Sequence, residues 1–422
     1  MDILRYTDCD FSEALKKLLR KATPQESVAH AVREILKDVR EKGDEAVIAY
    51  TERFGGPKLT PATLLETQGS VVGSKTRRLI EKAHRNVEKF ALKSLRKNWQ
   101  MRNAQGALTG ERFTPFERVG IYVPGGTAPL VSTAIMTVTL AAAAGVPEIV
   151  VTTPADAQGR INDALLFALE CAGATEVYKI GGAQAIGALA YGTDTIRGVQ
   201  KIAGPGNAYV VEAKRQVFGE VSIDLLPGPS EVLVLADDTA NALWVAAELL
   251  AQAEHGKGSG IVFVTTSADL LEGVHAQILE QTQQLNRREH LEGVLAGGAY
   301  LVLVQTMDSA IELCNAYAPE HCSILTADPD SVGERILTAG ALFFGAFSPV
   351  AAGDFMAGPS HTLPTGGGGK SFPGLMADMF QRRTSWVKMD EQALRKSMPI
   401  IQAFSDLEGL DAHARSASIR LE

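Results

Sequence analysis

Cysteine is scarce in this chain: four residues, Cys9, Cys171, Cys314 and Cys322, are scattered over 422 positions with no C-x-x-C pair. That excludes a disulfide framework and a thiolate metal centre, and it fits reduced thiols in a cytosolic protein. Positive charge is also short. With 41 Lys and Arg against 49 Asp and Glu, the net charge is −8, so no global positive field exists to hold nucleic acid or an anionic membrane. The one basic stretch, "KSLRKNWQMR" from Lys93, reads as a solvated helix face. The beginning, "MDILRYTDCDFSEALKK", lacks the basic-then-apolar order of a signal peptide, so export is not expected. A single window, Val119 to Pro147, has no charge and is long enough by count to cross a bilayer. Its "VPGGTAP", several Thr and a Gly-Val-Pro break make it a loop, a buried helix and a turn instead. Tandem repeats and a true G-x-G-x-x-G are missing as well.

What is present is an α/β pattern long enough for two or more domains. Residues 11 to about 100 place apolar residues at helical spacing among charged ones, as in "SVAHAVREILKDVREKGDEAVIAYTERF". From about Glu148 the pattern changes to short β-branched runs, each followed by a Gly-rich turn and a helix-like segment. These runs are "EIVVTT", "EVYKIGG", "VQKIAGPG", "EVLVLAD", "GIVFVTT", "AYLVLVQ", "CSILT" and "ALFFG". Near-continuous apolar strands alternating with helices predict parallel sheets covered on both faces. Eight strands are too many for one mononucleotide-binding half, so two α/β units are expected, divided at "LLPGPSE", 225–231. The longest irregular stretch, 348–375, is of a length that is more often functional than decorative.

Candidate chemistry sits in Gly- and Pro-flanked places. "NAYAPEHCSIL" puts Glu320 and His321 side by side where a strand begins. In "NALWVAAELLAQAEHGKG" a helix is predicted from Asn241 to about His255, with Gln252 and His255 on one face; a His there also suits the helix dipole alone. Asp354 and His361 fall in the long loop, where a Gly-Asp step is commonly a turn. Glu408 and His413 lie in "EGLDAHARSASIRLE", whose apolar alternation suggests a docked tail. His30, His84, His275 and His290 lie among charged helical residues and read as surface. A set of Gln, His, Asp and His suits zinc without any thiolate, although spacing alone does not assemble it. Three glycine turns, "YVPGGTAP", "KIGGAQAIGALAYG" and "IAGPGNAYV", each follow a strand and open a helix. Such turns either hold phosphate on free backbone N–H groups or simply let helices pack on strands.

Taken together, these blocks resemble histidinol dehydrogenases. "VGIYVPGGTAPL", "KIAGPGNAYVVEAKRQVFG", "DLLPGPSEVLVLAD", "LLAQAEHG", "NAYAPEHCSIL", "GDFMAGPSHTLPT" and "EGLDAHARSASIRL" occur in the family's order over essentially the whole length. The resemblance implies two Rossmann-like parallel-sheet domains of nonclassical type, plus small helical N- and C-terminal segments. In that reading 1–20 is an N-terminal helical segment, and 21–121 with 231–375 form a domain carrying metal and catalytic residues. Residues 122–230 then form the NAD-binding domain, and 376–422 reach the partner's active site. The resemblance further implies one zinc per subunit on Gln252, His255, Asp354 and His413, the last supplied by the other chain of a homodimer with shared active sites. Glu320 and His321 would be catalytic; Ser230, His361 and Glu408 would help hold L-histidinol; and Tyr122, Gln184 and Asn207 would line the NAD site.

The implied reaction takes an amino alcohol through the aldehyde to the acid, with two hydrides leaving for NAD and one water entering. His321, with an ordinary pKa near neutrality, suits proton removal, and Glu320, if buried, suits water activation. Zinc would chiefly orient the substrate. Two positions depart from the family's usual form. Cys322 stands where Leu is common, either as a small buried hydrophobe or as a thiol near the acid/base pair, and "TGGGGKSF" predicts a flexible loop.

Overall fold

Apolar runs of Val, Ile and Leu with no polar alternation can be buried on both faces, and here they assemble into two parallel sheets. The structure is a computed structural model and describes residues 1–19, 26–125, 129–256 and 258–422. One sheet orders its five strands Glu176–Tyr178, Glu148–Thr152, Arg118–Tyr122, Lys201–Ala203 and Ser222–Ile223, all neighbours parallel. The chain winds outward from Arg118–Tyr122 on one side and then returns to place Lys201–Ala203 on the other. That reversal leaves a crevice at the carboxyl ends of the two strands, where open α/β sheets bind ligands.

The second sheet orders six strands Asp2–Arg5, Ala299–Leu303, Gly260–Thr265, Glu231–Ala236, His321–Leu325 and Ala341–Phe344, again all parallel. It repeats the same winding about Glu231–Ala236, with Asp2–Arg5 added at the edge. Residues 225–231 join the last strand of the first sheet to the first long strand of the second. All eight runs read as strands are strands, and the α/β class with nonclassical Rossmann-like winding is the observed one.

Several local expectations are corrected by packing. The N-terminal segment is not only helical, because Asp2–Arg5 pairs with Ala299–Leu303 before the helix Phe11–Leu18 begins. The C-terminal segment is not only helical, since after the short turn Ala377–Phe380 it forms the strand Gln381–Lys388, antiparallel to Leu108–Pro115, which also pairs with Trp99–Arg102. The basic stretch from Lys93 is therefore helical only to Ser94 and then becomes the exposed strand Trp99–Arg102. Helices Glu26–Lys42 and Asp44–Arg53 put Val32, Ile35, Val39 and Val47 into one core with Ile186, Leu189 and Val210. Helix Ser74–Ser94 packs Ile80, Val87 and Ala91 with Ile135, Leu140 and Leu166. The helical part of 21–121 thus covers the five-stranded sheet rather than joining 231–375, since periodicity identifies an apolar stripe but not the sheet it meets. The expected boundary at 20–21 lies outside the described residues, as do Gly126, Thr127 and Ala128 of the first glycine turn and Lys257.

The uncharged window contains the buried helix Val131–Ala143, and no described helix is long and apolar enough to cross a membrane. The four-glycine stretch is not a slack loop. A Cβ on Gly369 would sit 2.0 Å from the Thr338 carbonyl oxygen, so the backbone itself fills that space.

Candidate active site

Helix Met307–Tyr317 starts on Thr306, whose hydroxyl accepts from the Ser309 N–H, and it ends at Ala318. Ala318 has φ +54°, the one positive-φ non-glycine among the described residues, a conformation that costs an L-residue roughly 1–2 kcal/mol. Pro319 prevents the helix from continuing. The chain turns sharply and delivers Glu320, then His321 as the first residue of its strand. Both side chains are buried, and both converge on Glu231, the first residue of the neighbouring strand. The Glu231 N–H donates to Glu320 Oε2 at 2.8 Å, and His321 Nδ1 lies 3.1 Å from the Glu231 carbonyl oxygen. His321 Nδ1 is also 3.4 Å from Glu320 Oε2, and Nε2 is 3.5 Å from Asp354 Oδ1. His321 is registered opposite Val232, so this cluster occupies the amino edge of the six-stranded sheet, the end opposite to the usual ligand side.

Asp354 is carried by a short helix, Val350–Phe355, rather than by a turn. Glu248 holds that helix in place. Its Oε1 accepts from the Val350 N–H at 2.7 Å and from the Ser323 hydroxyl at 2.8 Å, tying Asp354 to the Ala242–Ala253 helix that bears Gln252. Gln252 is buried and its Nε2 has no partner. His255 lies just beyond the helix end, where its N–H donates to the Gln252 carbonyl at 3.2 Å; the side chain is exposed. His361 donates from Nδ1 to the Asp354 carbonyl (3.0 Å), and its Nε2 lies 3.2 Å from Thr133 Oγ1. Thr133 belongs to the helix Val131–Ala143 on the other sheet, so His361 sits where the two units meet. Ser230 precedes Glu231, and its carbonyl accepts from the Gly260 N–H.

Glu408 and His413 are exposed on helices Glu391–Glu408 and Asp411–Ser418. Among the described residues no hydrogen bond or ion pair of the chain joins them to Asp354 or Gln252, and no three His, Cys, Asp or Glu of one chain form a metal-sized cluster. Within the chain the structure brings together Glu320, His321, Asp354 and His361, with His255 near Asp354 and Gln252 on the helix that Glu248 ties to the Asp354 helix. His290, read as surface, has its Nε2 buried without a partner, beside Gly256.

Burial favours a neutral His321 ring, but the Glu320 and Asp354 carboxylates outweigh it and lift the pKa to about 10. That corrects the expectation of an ordinary value. Burial pushes Asp354 up, yet the His321 ring bonded to it, with His361 and His255 nearby, holds its carboxyl below the usual range. Burial lowers His361. Cys322 is fully buried with Sγ 3.5 Å from Cys314 Sγ, and that contact together with burial pushes its thiol up. Strand alternation turns Cys322 away from the face used by His321, in keeping with a packing role.

Sequence reading missed Glu231, Glu248 and Thr133. The only signal for Glu231 was a carboxylate opening an otherwise apolar strand. Burial lifts its carboxyl to about 7, against an ordinary 4.5, with the Gly366 N–H opposing and Glu320 adding to the rise. Between those values the folded chain binds more protons than the unfolded one, so stability falls as pH rises from about 4.5 to about 7. Glu231→Gln should flatten that slope, which urea unfolding midpoints across this range will measure; an unchanged slope would refute the assignment.

On the other sheet, Tyr122, Gln184 and Asn207 line one cavity of about 640 Å³ at the carboxyl ends of the strands, together with Glu34, Lys179 and Tyr209. The Gly182 N–H donates to the Tyr122 hydroxyl at 3.1 Å, and burial raises that phenol's pKa. Asn207 caps helix Ala208–Val217 by accepting from the Tyr209 and Val210 N–H groups. Gln184 is buried with Oε1 unpartnered.

The profile of the family described as histidinol dehydrogenase matches residues 18–421. The chain belongs to the histidinol dehydrogenase family. It is 41% identical to the histidinol dehydrogenase of Geobacillus kaustophilus (strain HTA426) over 413 residues, covering 97% of each chain. Identity to that of Bacillus subtilis (strain 168) is also 41%, over 412 residues and 96% of each. The crystal structure of histidinol dehydrogenase from Elizabethkingia anophelis superposes with a TM-score of 0.92 at 33% identity, covering 100% of this chain and 98% of that one. This family member is therefore a dehydrogenase, an oxidoreductase.

Proposed function

We propose that the chain oxidises L-histidinol through L-histidinal to L-histidine, the four-electron last step of histidine biosynthesis, with NAD and one zinc ion per subunit. The observation that carries this reading is the buried Glu320–His321–Asp354 cluster, tied through Glu248 to the helix that bears the unpartnered Gln252 amide, in a member of this family. Gln252, Asp354 and His255 fit a nitrogen and oxygen donor set for zinc, and His255 is near enough to Asp354 to help hold its carboxyl low. His413 is exposed and free to serve as the fourth ligand of a partner in a homodimer with shared sites, with Glu408 beside it to hold the substrate. Zinc, when bound there, supplies a fixed anchor for the substrate's nitrogens. The cavity at Tyr122, Gln184 and Asn207 suits NAD, because the buried Gln184 Oε1 awaits a donor; NAD, when bound, takes up the hydride. A cytoplasmic location, with no nucleic-acid or membrane partner, accords with the net charge of −8.

The protein's own residues have separable tasks. The Glu231 carbonyl is an acceptor only, so His321 carries a proton on Nδ1, and this assignment leaves Nε2 as the atom that takes the alcohol proton. In the chain alone Asp354 helps keep Nε2 protonated; with Asp354 serving as a zinc ligand that hold would weaken, and Nε2 would be free of its proton and able to act as the base. Glu320, fixed by the Glu231 N–H through Oε2, holds the water that hydrates the aldehyde and takes its proton. As the water adds, His321 returns the first proton from Nε2 to the aldehyde oxygen, and it then takes a hydroxyl proton of the resulting hydrate as the second hydride leaves. Ser230 and His361 flank the cluster and orient the substrate.

Glu320→Gln should retain alcohol oxidation while slowing aldehyde hydration, by about 10²-fold or more, the scale of general base catalysis. Steady-state rates with histidinol and with histidinal separate the steps, and equal losses on both would contradict this division. NADH formed per histidinol consumed tests the whole reading, with two expected; a value near one would point to a simple alcohol dehydrogenase.

A further inference from the structure

The geometry points to a positioning role for a buried ion pair, Lys214 with Asp224: it clamps the Gly204 backbone on both sides of its Cα and so sets the shape of the cavity we assign to NAD. The inference rests on that assignment and adds two residues to it.

Both side chains are completely buried. Lys214 lies in helix Ala208–Val217, and Asp224 directly follows the edge strand Ser222–Ile223. Between them passes Gly204, just after the strand Lys201–Ala203. Lys214 Nζ donates to the Gly204 carbonyl at 2.9 Å and pairs with Asp224 Oδ1. The other carboxylate oxygen, Oδ2, accepts the Gly204 N–H at 2.8 Å. The N–H and the carbonyl of one residue, which belong to the two peptide groups flanking its Cα, are thus both taken by one ion pair.

That residue is a demanding one to hold. Gly204 has φ +113°, and a Cβ there would lie 2.1 Å from the Tyr122 carbonyl oxygen, so its Cα rests on the Tyr122 backbone. Three residues later Asn207 caps the helix, and Tyr122, Asn207 and Tyr209 all line the cavity. A shift of the Gly204 backbone must therefore move either the Tyr122 side or the Asn207 side of the wall.

Stability alone does not account for the pair. Taking two charges out of water costs several kcal/mol per ion, and well-packed apolar replacements of buried pairs are often as stable or more so. What apolar residues cannot do is hold the N–H and the carbonyl of the same residue in fixed positions. Lys201, the nearby second buried cation, does not duplicate this function, because its Nζ donates to the Ile223 carbonyl instead.

The test uses the full-length, zinc-loaded protein and NAD itself. Asp224→Asn keeps the shape and an acceptor for the Gly204 N–H but removes the charge that fixes Lys214, and Lys214→Met removes the donor to the carbonyl. Each should weaken NAD binding, measured directly by calorimetry, by about tenfold to a hundredfold, the scale of a small misplacement in a preorganised site. The KM for NAD should rise in step, with kcat at saturating NAD and the KM for histidinol nearly unchanged. The double variant should be no worse than the singles, because both act on the backbone of one residue. Wild-type affinity for NAD in folded Asp224→Asn, or parallel losses of NAD, zinc and histidinol, would overturn the inference. So would failure of Asp224→Asn to fold, since the pair would then be holding the domain rather than the turn. If the unaltered protein itself binds no NAD, it is the cofactor assignment that falls.

Discussion

His321→Asn should reduce turnover by about 10²–10⁴-fold, the range that a positioned acid/base group contributes, and it should do so with histidinol and with histidinal alike. The reason is the place of Nε2. It is the only ring nitrogen not committed to the Glu231 carbonyl or the Glu320 carboxylate, and each oxidation must remove one hydroxyl proton. Asn retains a donor where Nδ1 stood, so Glu231 keeps its partner and unfolding midpoints should stay close to those of the parent. The loss should appear in kcat, with substrate affinity little altered, because the substrate is anchored elsewhere. Rates of NADH formation for the two substrates, with thermal unfolding as the control, decide the matter. A His321→Asn protein that turns over histidinal at the parent rate would confine His321 to the first oxidation.

Stripping zinc with a chelator should cost at least about 100-fold in turnover while leaving the fold in place, on the scale by which anchoring a substrate raises rates. The fold should survive because both parallel sheets and their helices close their own cores, as with Val232, Leu249 and Phe263 around the strand next to the site. None of those residues is a proposed ligand. Far-ultraviolet circular dichroism should be unchanged, and added zinc should restore activity. Asp354→Asn should lower zinc content, read by atomic emission, because Asp354 is the one carboxylate of the set and Glu248 already pins its helix toward Gln252. Full activity in a preparation shown to be free of metal would remove zinc from the proposal. Glu248→Gln, by contrast, should leave the ligands intact and loosen only their support.

How much of this was legible beforehand differs from residue to residue. The strands from Glu148 onward could be read because buried parallel strands are apolar on both faces and are punctuated by glycine turns. Glu320 and His321 drew attention because two titratable groups stood before a core strand. Glu231 did not, since one carboxylate ahead of "VLVLA" looks like an ordinary strand entrance, and its burial follows only from what packs above it. His290 was misread for the converse reason: its charged sequence neighbours say nothing about the Gly256 turn that lies over its ring. Glu26 to Ser94 were rightly helical, yet their sheet was misassigned, because one apolar stripe suits either core.

The sequence by itself determined the α/β class, the positions of the long strands and the family, because those depend on local periodicity and on ordered motifs that survive without coordinates. Tertiary structure alone decided that Asp354 faces Nε2 of His321, that Glu231 grips both Glu320 and His321, and that Lys214 and Asp224 close on the backbone of one residue. Each of these joins residues that are far apart along the chain or on different elements, except for the neighbouring Glu320 and His321. Only the winding of the sheets and the packing of their helices determine which of the many possible partners meet, and in what protonation state.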